Sequence, residues 1–175
     1  MVFVEKKLYD SKLKLDIYEL YSGEYMATNE KGFAISTLLG SCVSVCLRDE
    51  VSGVVGINHY LSPGNTQNKD TMFSGSGRYG IVAMDKLLAE MEKLGGKRNR
   101  MKAKVFGGGS NNSISRSVAD SNIEFALSYL KMEGIPVVTQ DTGGNYGRKL
   151  ILIPDSFEVY VRQFSQQQDN IPSGK

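Results

Sequence analysis

The chain has 175 residues, 41% hydrophobic and 23% charged, with a formal net charge of +2, two cysteines and one histidine. That size and balance describe one ordinary globular domain, and so small a charge gives no argument for a nucleic-acid partner. Two cysteines and one histidine are too few soft ligands for a structural zinc site, and no Cys-x-x-Cys pair occurs, so neither metal nor cofactor is expected.

Met1 to Lys7 lacks the apolar stretch of a secretion signal, and no run approaches the ~18 apolar residues of a membrane span. The reading is a cytoplasmic protein without membrane insertion. Residues 1–23 read as an N-terminal extension, within which a strand-like aromatic run beginning at Tyr18 is broken at Gly23. The domain proper is expected over 24–164. A β-type run from Phe33 to Leu39 leads into Gly40-Ser41-Cys42. Two further runs, Cys42 to Leu47 and Val54 to Tyr60, flank the polar segment Arg48 to Gly53, the composition of a short hairpin connection.

If Arg48 faces Gly53, then Leu47 faces Val54, Cys46 faces Val55, Ser44 faces Ile57 and Cys42 faces His59. Opposed side chains have Cβ atoms about 4.5 to 5.5 Å apart, so the thiol and the only imidazole would share one face. A slip of one residue would separate them. Cys42 and Cys46, four apart on such a strand, lie about 13 Å apart at ~3.3 Å per residue, too far for a disulfide. Reduced thiols fit a cytoplasmic setting.

Leu61 to Gly77 reads as a long loop, of a length that is more often functional or mobile than incidental. Ile81, Met84, Leu87, Leu88, Met91 and Leu94 recur at helical spacing, predicting an amphipathic helix over about 78–94 that ends at Gly95-Gly96. The basic run Lys97 to Lys104 has no interleaved aromatics and reads as a solvated helix end and loop. Met101 to Phe106 is a predicted strand. The Gly107-Gly108-Gly109 that follows lacks the Lys-Ser/Thr of a P-loop and reads as a tight turn with close backbone approach.

Ser121 to Glu124 is a capping box opening a second helix to Lys131, closed by Gly134. Pro136 to Gln140, Arg148 to Ile153 and Glu158 to Phe164 are predicted strands, and 165–175 a disordered polar tail. Six or seven strands, often in adjacent hairpins, with two main helices point to an α+β layered single domain with mixed or antiparallel sheets.

The chemistry concentrates on Cys42 and His59. A thiolate is the strongest protein nucleophile near neutral pH, and an adjacent imidazole is the usual means of forming it. Alone, a free cysteine packs as a small hydrophobe and a single histidine is a structural group. Their shared face makes the pair a candidate site, while Cys46 keeps the packing role.

Leu39-Gly40-Ser41-Cys42-Val43, then Ile57-Asn58-His59-Tyr60 followed by Pro63, then Thr142-Gly143-Gly144-Asn145 with Arg148, resemble in type and order the CheD family of chemotaxis proteins. Lys104-Val105-Phe106-Gly107-Gly108 and Arg78-Tyr79 fit as well, and the resemblance spans about residues 24 to 162. It implies a protein-glutamine deamidase acting on methyl-accepting chemotaxis receptors, with a CheC-type phosphatase as partner. It also implies an α/β/β layered fold similar to the catalytic domain of deamidating toxins. The family's cysteine falls on Cys42 and its histidine on His59. Its threonine falls near Ser36, with Thr37 as the alternate; Ser36 is preferred because it shares strand parity with Cys42. Backbone amides at or just before Cys42 are expected to bind the oxyanion, with Gly40 and Ser41 beside the substrate and Gly40 allowing close backbone approach, and Gly143 and Gly144 to line the glutamine slot. Two other readings stand beside this one: a non-catalytic adaptor that binds receptors or the phosphatase, and a cysteine peptidase.

Overall fold

The structure, a computed structural model, describes residues 7–61 and 75–165. Ten strands and two helices follow in the order β1 Lys7–Asp10, β2 Leu15–Leu20, β3 Tyr25–Thr28, β4 Phe33–Leu39, β5 Val43–Asp49, β6 Val55–Asn58, α1 Gly75–Lys93, β7 Met101–Gly107, α2 Ser113–Met132, β8 Val137–Thr142, β9 Tyr146–Ile153 and β10 Glu158–Ser165. The strands form two five-stranded sheets, β1-β2-β4-β9-β10 and β3-β6-β5-β7-β8. Each is mixed, because β2 runs parallel to β4 and β7 parallel to β8 while the other neighbours are antiparallel.

Three layers result. Both helices pack on the second sheet, and that sheet packs on the first. Met84, Leu87, Leu88 and Met91, the predicted stripe of α1, are fully buried against Val43, Val45 and Leu47 of β5. The opposite face of the same sheet sets Cys46, Ile57 and Phe106 against Leu20, Ile35, Leu39, Leu150 and Leu152. β5 is therefore covered on both faces, which is why its sequence reads as a nearly unbroken apolar run rather than an alternating one. The α/β/β layering and the single domain agree with the sequence reading.

Several boundaries differ from the expectation. The N-terminal segment is not an appendage: β1 pairs with β2, β2 pairs with β4, and Leu20 lies in the inter-sheet core. α2 begins two turns early, at Ser113, because Asn112 caps it by accepting from the Ser115 amide at 2.9 Å. Ser121, the expected cap, sits inside the helix and donates to the Ser117 carbonyl. Ser165, assigned to the tail, ends β10; the rest of the tail, and most of the predicted loop after Leu61, lie outside the described residues.

The hairpin register is displaced by two residues. Cys46 pairs with Ile57 and Val43 bridges Tyr60, so Ser44, not Cys42, stands opposite His59. Asp49, expected within the polar connection, is fully buried and closes the hairpin, with its amide donating to the Val54 carbonyl at 2.9 Å. Its carboxylate accepts from the Val51, Ser52 and Lys97 amides and from Arg100, so its charge is answered inside the fold. A two-residue shift preserves side-chain faces, so Cys42 and His59 stay on the same side in a diagonal rather than direct relation.

Candidate active site

His59 follows β6 and is 5% exposed. Its ring points from the second sheet toward the first, where Thr37 Oγ1 lies 2.8 Å from Nδ1. The same hydroxyl donates to the Leu20 carbonyl at 2.7 Å. With its one proton committed there, Thr37 can only accept from the imidazole, which places the ring proton on Nδ1. Nε2 therefore carries the lone pair, and no group among the described residues bonds to it. Three strands from two sheets thus orient one ring: β2 through a carbonyl, β4 through a hydroxyl, and the end of β6 through the histidine itself.

Thr37, the alternate, is the residue that holds the imidazole; Ser36 is not. The parity argument failed because Cys42 does not lie on the strand that carries either hydroxyl. β4 ends at Leu39 in the first sheet, and the chain crosses through Gly40, Ser41 and Cys42 before β5 begins in the second. Thr37 shares the inward face of β4 with Ile35 and Leu39, whereas Ser36 faces the other way. Ser36 does reach a cavity of about 220 Å³ that is also lined by Leu20, Ser22, Thr37, Leu38, His59 and Lys149. At ~30 Å³ of liquid volume per water, that space holds about seven waters or one long side chain.

The crossing segment is held by its carbonyls. Gly40 O accepts from the Gly109 amide at 2.8 Å, Ser41 O from Asn122 Nδ2 at 3.0 Å, and Cys42 O from the Gly108 amide at 2.8 Å. Peptide units are planar and no cis bond occurs, so each amide points opposite the carbonyl of the preceding residue. The Ser41 and Cys42 amides are thereby turned away from the glycine loop and from α2. No hydrogen bond joins Cys42 to His59 in this state.

Gly107 shows why the glycine run is needed. Its φ is +112°, and a Cβ there would sit 2.2 Å from the Cys42 carbonyl oxygen. Gly143 and Gly144 support the same loop rather than line the cavity. The Gly143 amide donates to Gly107 O at 2.9 Å, and the Ser110 amide donates to Gly144 O at 2.9 Å. The fully buried Arg148 braces the loop from below, donating to Gly107 O at 3.3 Å and to Asp141 at 2.7 Å.

Burial dominates the electrostatics of the pair. It raises the Cys42 thiol above its ordinary value, with Ser22 and the cysteine's own amide working against it. It lowers His59 from 6.5 to about 4, against a smaller opposing pull from the Leu20 carbonyl. The resting pair is therefore a neutral thiol and a neutral imidazole. Burial pushes Cys46 up to about 12, which leaves it chemically inert.

Sequence reasoning missed Ser22 and Asn122. Nothing local to Ser22 marks it, since the cavity wall it shares with Thr37 and His59 is assembled from distant strands. Asn122 did carry a mark, a polar residue on the helix face that also presents Ala119, Phe125 and Ala126, and it is fully buried. Among the described residues no group of side chains is suited to hold a metal ion, and no helix is long and apolar enough to cross a membrane.

Fold and site together define a layered α+β domain in which a histidine and the threonine that orients it line one small cavity. The chain belongs to the CheD family: the family model described as CheD chemotactic sensory transduction matches residues 61–163. The proteins named probable chemoreceptor glutamine deamidase CheD include one from Herminiimonas arsenicoxydans, 38% identical over 170 residues, covering 96% of this chain and 83% of that protein. Another, from Laribacter hongkongensis, is 39% identical over 160 residues, covering 90% and 77%. The match to a Rhizobium johnstonii protein of the same name is 44% over 137 residues, covering 78% and 74%. The family-model match begins after Cys42 and His59, but the Herminiimonas alignment leaves out too little of this chain to exclude them. A solved Neisseria meningitidis protein of the DUF152 family shares the fold, with a TM-score of 0.51 at 13% identity over 81% of this chain and 76% of that one.

Proposed function

We propose that this protein deamidates glutamine side chains of methyl-accepting chemotaxis receptors, with Cys42 as nucleophile, His59 as base and Thr37 as the residue that orients the base. The observation that carries the reading is the bond from His59 Nδ1–H to Thr37. It leaves an Nε2 lone pair without a partner, on a ring that lines the cavity beside the Cys42 turn.

The steps follow from the protonation states. A glutamine side chain enters the cavity, His59 Nε2 takes the Cys42 proton, and Sγ bonds to the amide carbon. The tetrahedral oxyanion accepts from the outward-turned Ser41 and Cys42 amides, which are fixed before substrate arrives. The imidazolium then protonates the amide nitrogen, the C–N bond breaks and ammonia leaves. Water attacks the resulting thioester, gives a proton to His59 and releases the glutamate and the thiol. In this scheme Gly143 and Gly144 brace the glycine loop. A CheC-type phosphatase is the proposed protein partner.

The test is ammonia release and peptide mass change of a receptor cytoplasmic fragment incubated with wild-type, Cys42→Ala and His59→Ala protein. Site-specific gains of about 1 Da, the change from amide to acid expected of acyl transfer to water, that disappear in both variants support the reading. Binding to the fragment without any mass change would refute it in favour of the adaptor, and a new amino terminus would mark a peptidase.

A further inference from the structure

Asparagine is a poor residue for a helix interior and costly to bury, yet Asn122 lies midway along α2 on its core stripe, between Ala119 and Phe125, and is fully buried. Its side chain and its main chain reach the two halves of the candidate site. Asn122 Nδ2 donates to Ser41 O at 3.0 Å, one residue before Cys42, and Asn122 O accepts from Tyr60 OH at 2.9 Å, one residue after His59. Tyr60 and Val43 also exchange main-chain bonds at 3.0 and 3.1 Å. The segments that carry the cysteine and the histidine are thus joined at the sheet and joined again through one helix residue. Gly108 lets α2 come this close, because a Cβ there would sit 2.6 Å from Ile123 Cγ1.

The three carbonyls of the crossing segment are not held alike. Gly40 O and Cys42 O accept from the main-chain amides of Gly109 and Gly108, whereas Ser41 O accepts from a side chain, that of Asn122. Ser41 O belongs to the peptide unit whose N–H is the Cys42 amide, and planarity makes the two point opposite ways. Holding the oxygen toward α2 therefore aims the amide away from it. We propose that Asn122 is a positioning residue for acyl transfer at Cys42: by fixing Ser41 O it sets the direction of the Cys42 amide before the oxyanion forms, so that no reorganisation is needed when charge develops. It acts through that peptide unit, and Tyr60 in turn holds the helix residue in register with the histidine. The role in receptor turnover rests on the deamidase reading; the effect on acyl transfer to Cys42 does not.

The experiment compares two reactions of Cys42 in wild-type, Asn122→Leu and Asn122→Ala protein, with Cys42→Ala as the background. In acetylation by p-nitrophenyl acetate, Sγ bonds to the acetyl carbon, its proton passes to His59, a tetrahedral oxyanion forms and p-nitrophenolate leaves. Alkylation by iodoacetamide displaces iodide and forms no oxyanion. Deleting one oxyanion donor costs about 10²–10³-fold, so with the amide untethered the ratio of acetylation to alkylation is expected to fall by at least about tenfold in both variants, with alkylation itself within about twofold of wild type. With receptor fragment, kcat is expected to fall by a similar factor and KM to stay nearly unaltered, because the oxyanion contact exists only in the transition state. A ratio that does not move in a folded variant, or a parallel fall in both rates, which marks a purely structural role, overturns the proposal. Asn122→Ala, with the smaller side chain, decides where the leucine protein does not fold. If wild-type protein releases no ammonia from the receptor fragment, the deamidase reading falls while the ratio still decides the role of Asn122.

Discussion

Replacing Thr37 by valine keeps the volume and branching of the side chain and removes one oxygen. That oxygen makes two buried bonds, accepting from His59 Nδ1 at 2.8 Å and donating to Leu20 O at 2.7 Å. Both partners are left in a site where Thr37 is 3% exposed and His59 5%, so water does not replace the oxygen freely. A buried polar group left unpaired costs about 1–3 kcal/mol, which sets the expected loss of stability. The larger effect is on the ring. Without an acceptor opposite Nδ1, the proton is no longer confined to that nitrogen, and the tautomer with Nε2 protonated cannot act as base. General-base catalysis contributes about 10²–10⁴-fold, so kcat is expected to fall by at least about 10²-fold, and Thr37→Ser, which restores the oxygen, is expected to recover most of it. Because His59 is the only histidine, ¹⁵N NMR of imidazole-labelled protein reads its tautomer without assignment. Wild type is expected to show a protonated Nδ1 and an unprotonated Nε2, Thr37→Val a mixture, and Ser36→Ala the wild-type pattern. A Thr37→Val protein with the wild-type tautomer and a kcat within about threefold of wild type would refute the reasoning, since base catalysis lost in full is worth far more.

Two further outcomes concern acid stability. The folded pKa of His59, about 4, lies below its ordinary 6.5, so the unfolded chain binds the extra proton and wild type loses stability as pH falls through that window. The loss relative to His59→Gln should reach about 3 kcal/mol by the lower end, measured by urea unfolding at several pH values; equal pH dependence in the two proteins would contradict a buried neutral imidazole. Burial acts to raise the Asp49 carboxyl, but Arg100 and the Val51, Lys97 and Ser52 amides outweigh it and hold the group well below the usual carboxylate range. Its stabilisation is therefore present above the unfolded value of about 3.9 and lost as pH falls toward the folded one. Asp49→Asn should destabilise the protein by about 1–3 kcal/mol at neutral pH, with the gap closing in acid, because the amide brings no charge to Arg100 and one acceptor fewer to the three main-chain amides.

Asp49 also shows where the sequence was and was not legible. The helix stripe from Met84 to Met91, the hairpin, the glycine turn after β7 and the layered α+β class all follow from local periodicity and turn chemistry, and the structure has them. Asp49 reads locally as a loop residue because an isolated carboxylate is costly to bury. Only the distant arrival of Arg100 and Lys97 makes its burial possible, and that contact is invisible in a stretch of ten residues. The two-residue error in register followed from it, and was harmless to the site because the side-chain period of a strand is two. The choice of Ser36 over Thr37 failed for a related reason: parity is transferable along one strand but not across a chain that changes sheets between Leu39 and Val43. Residues 7–23 looked dispensable because their strands are short and lie before the motifs. Their part in the site is made through a carbonyl at Leu20 and a turn at Ser22, and main-chain groups leave no trace in composition.

The electrostatics bear on how such a site is kept quiet. A thiolate–imidazolium pair would be reactive toward any electrophile that reached it. Here burial moves the two groups in opposite directions, the thiol up and the imidazole down, and each shift favours the neutral form. No hydrogen bond joins the sulfur to the base, and Nε2 is open. In the proposed reaction, proton transfer then accompanies attack on a bound carbon instead of preceding it. Selectivity in that reaction accordingly lies in what fits the 220 Å³ cavity beside His59, not in the standing nucleophilicity of the cysteine.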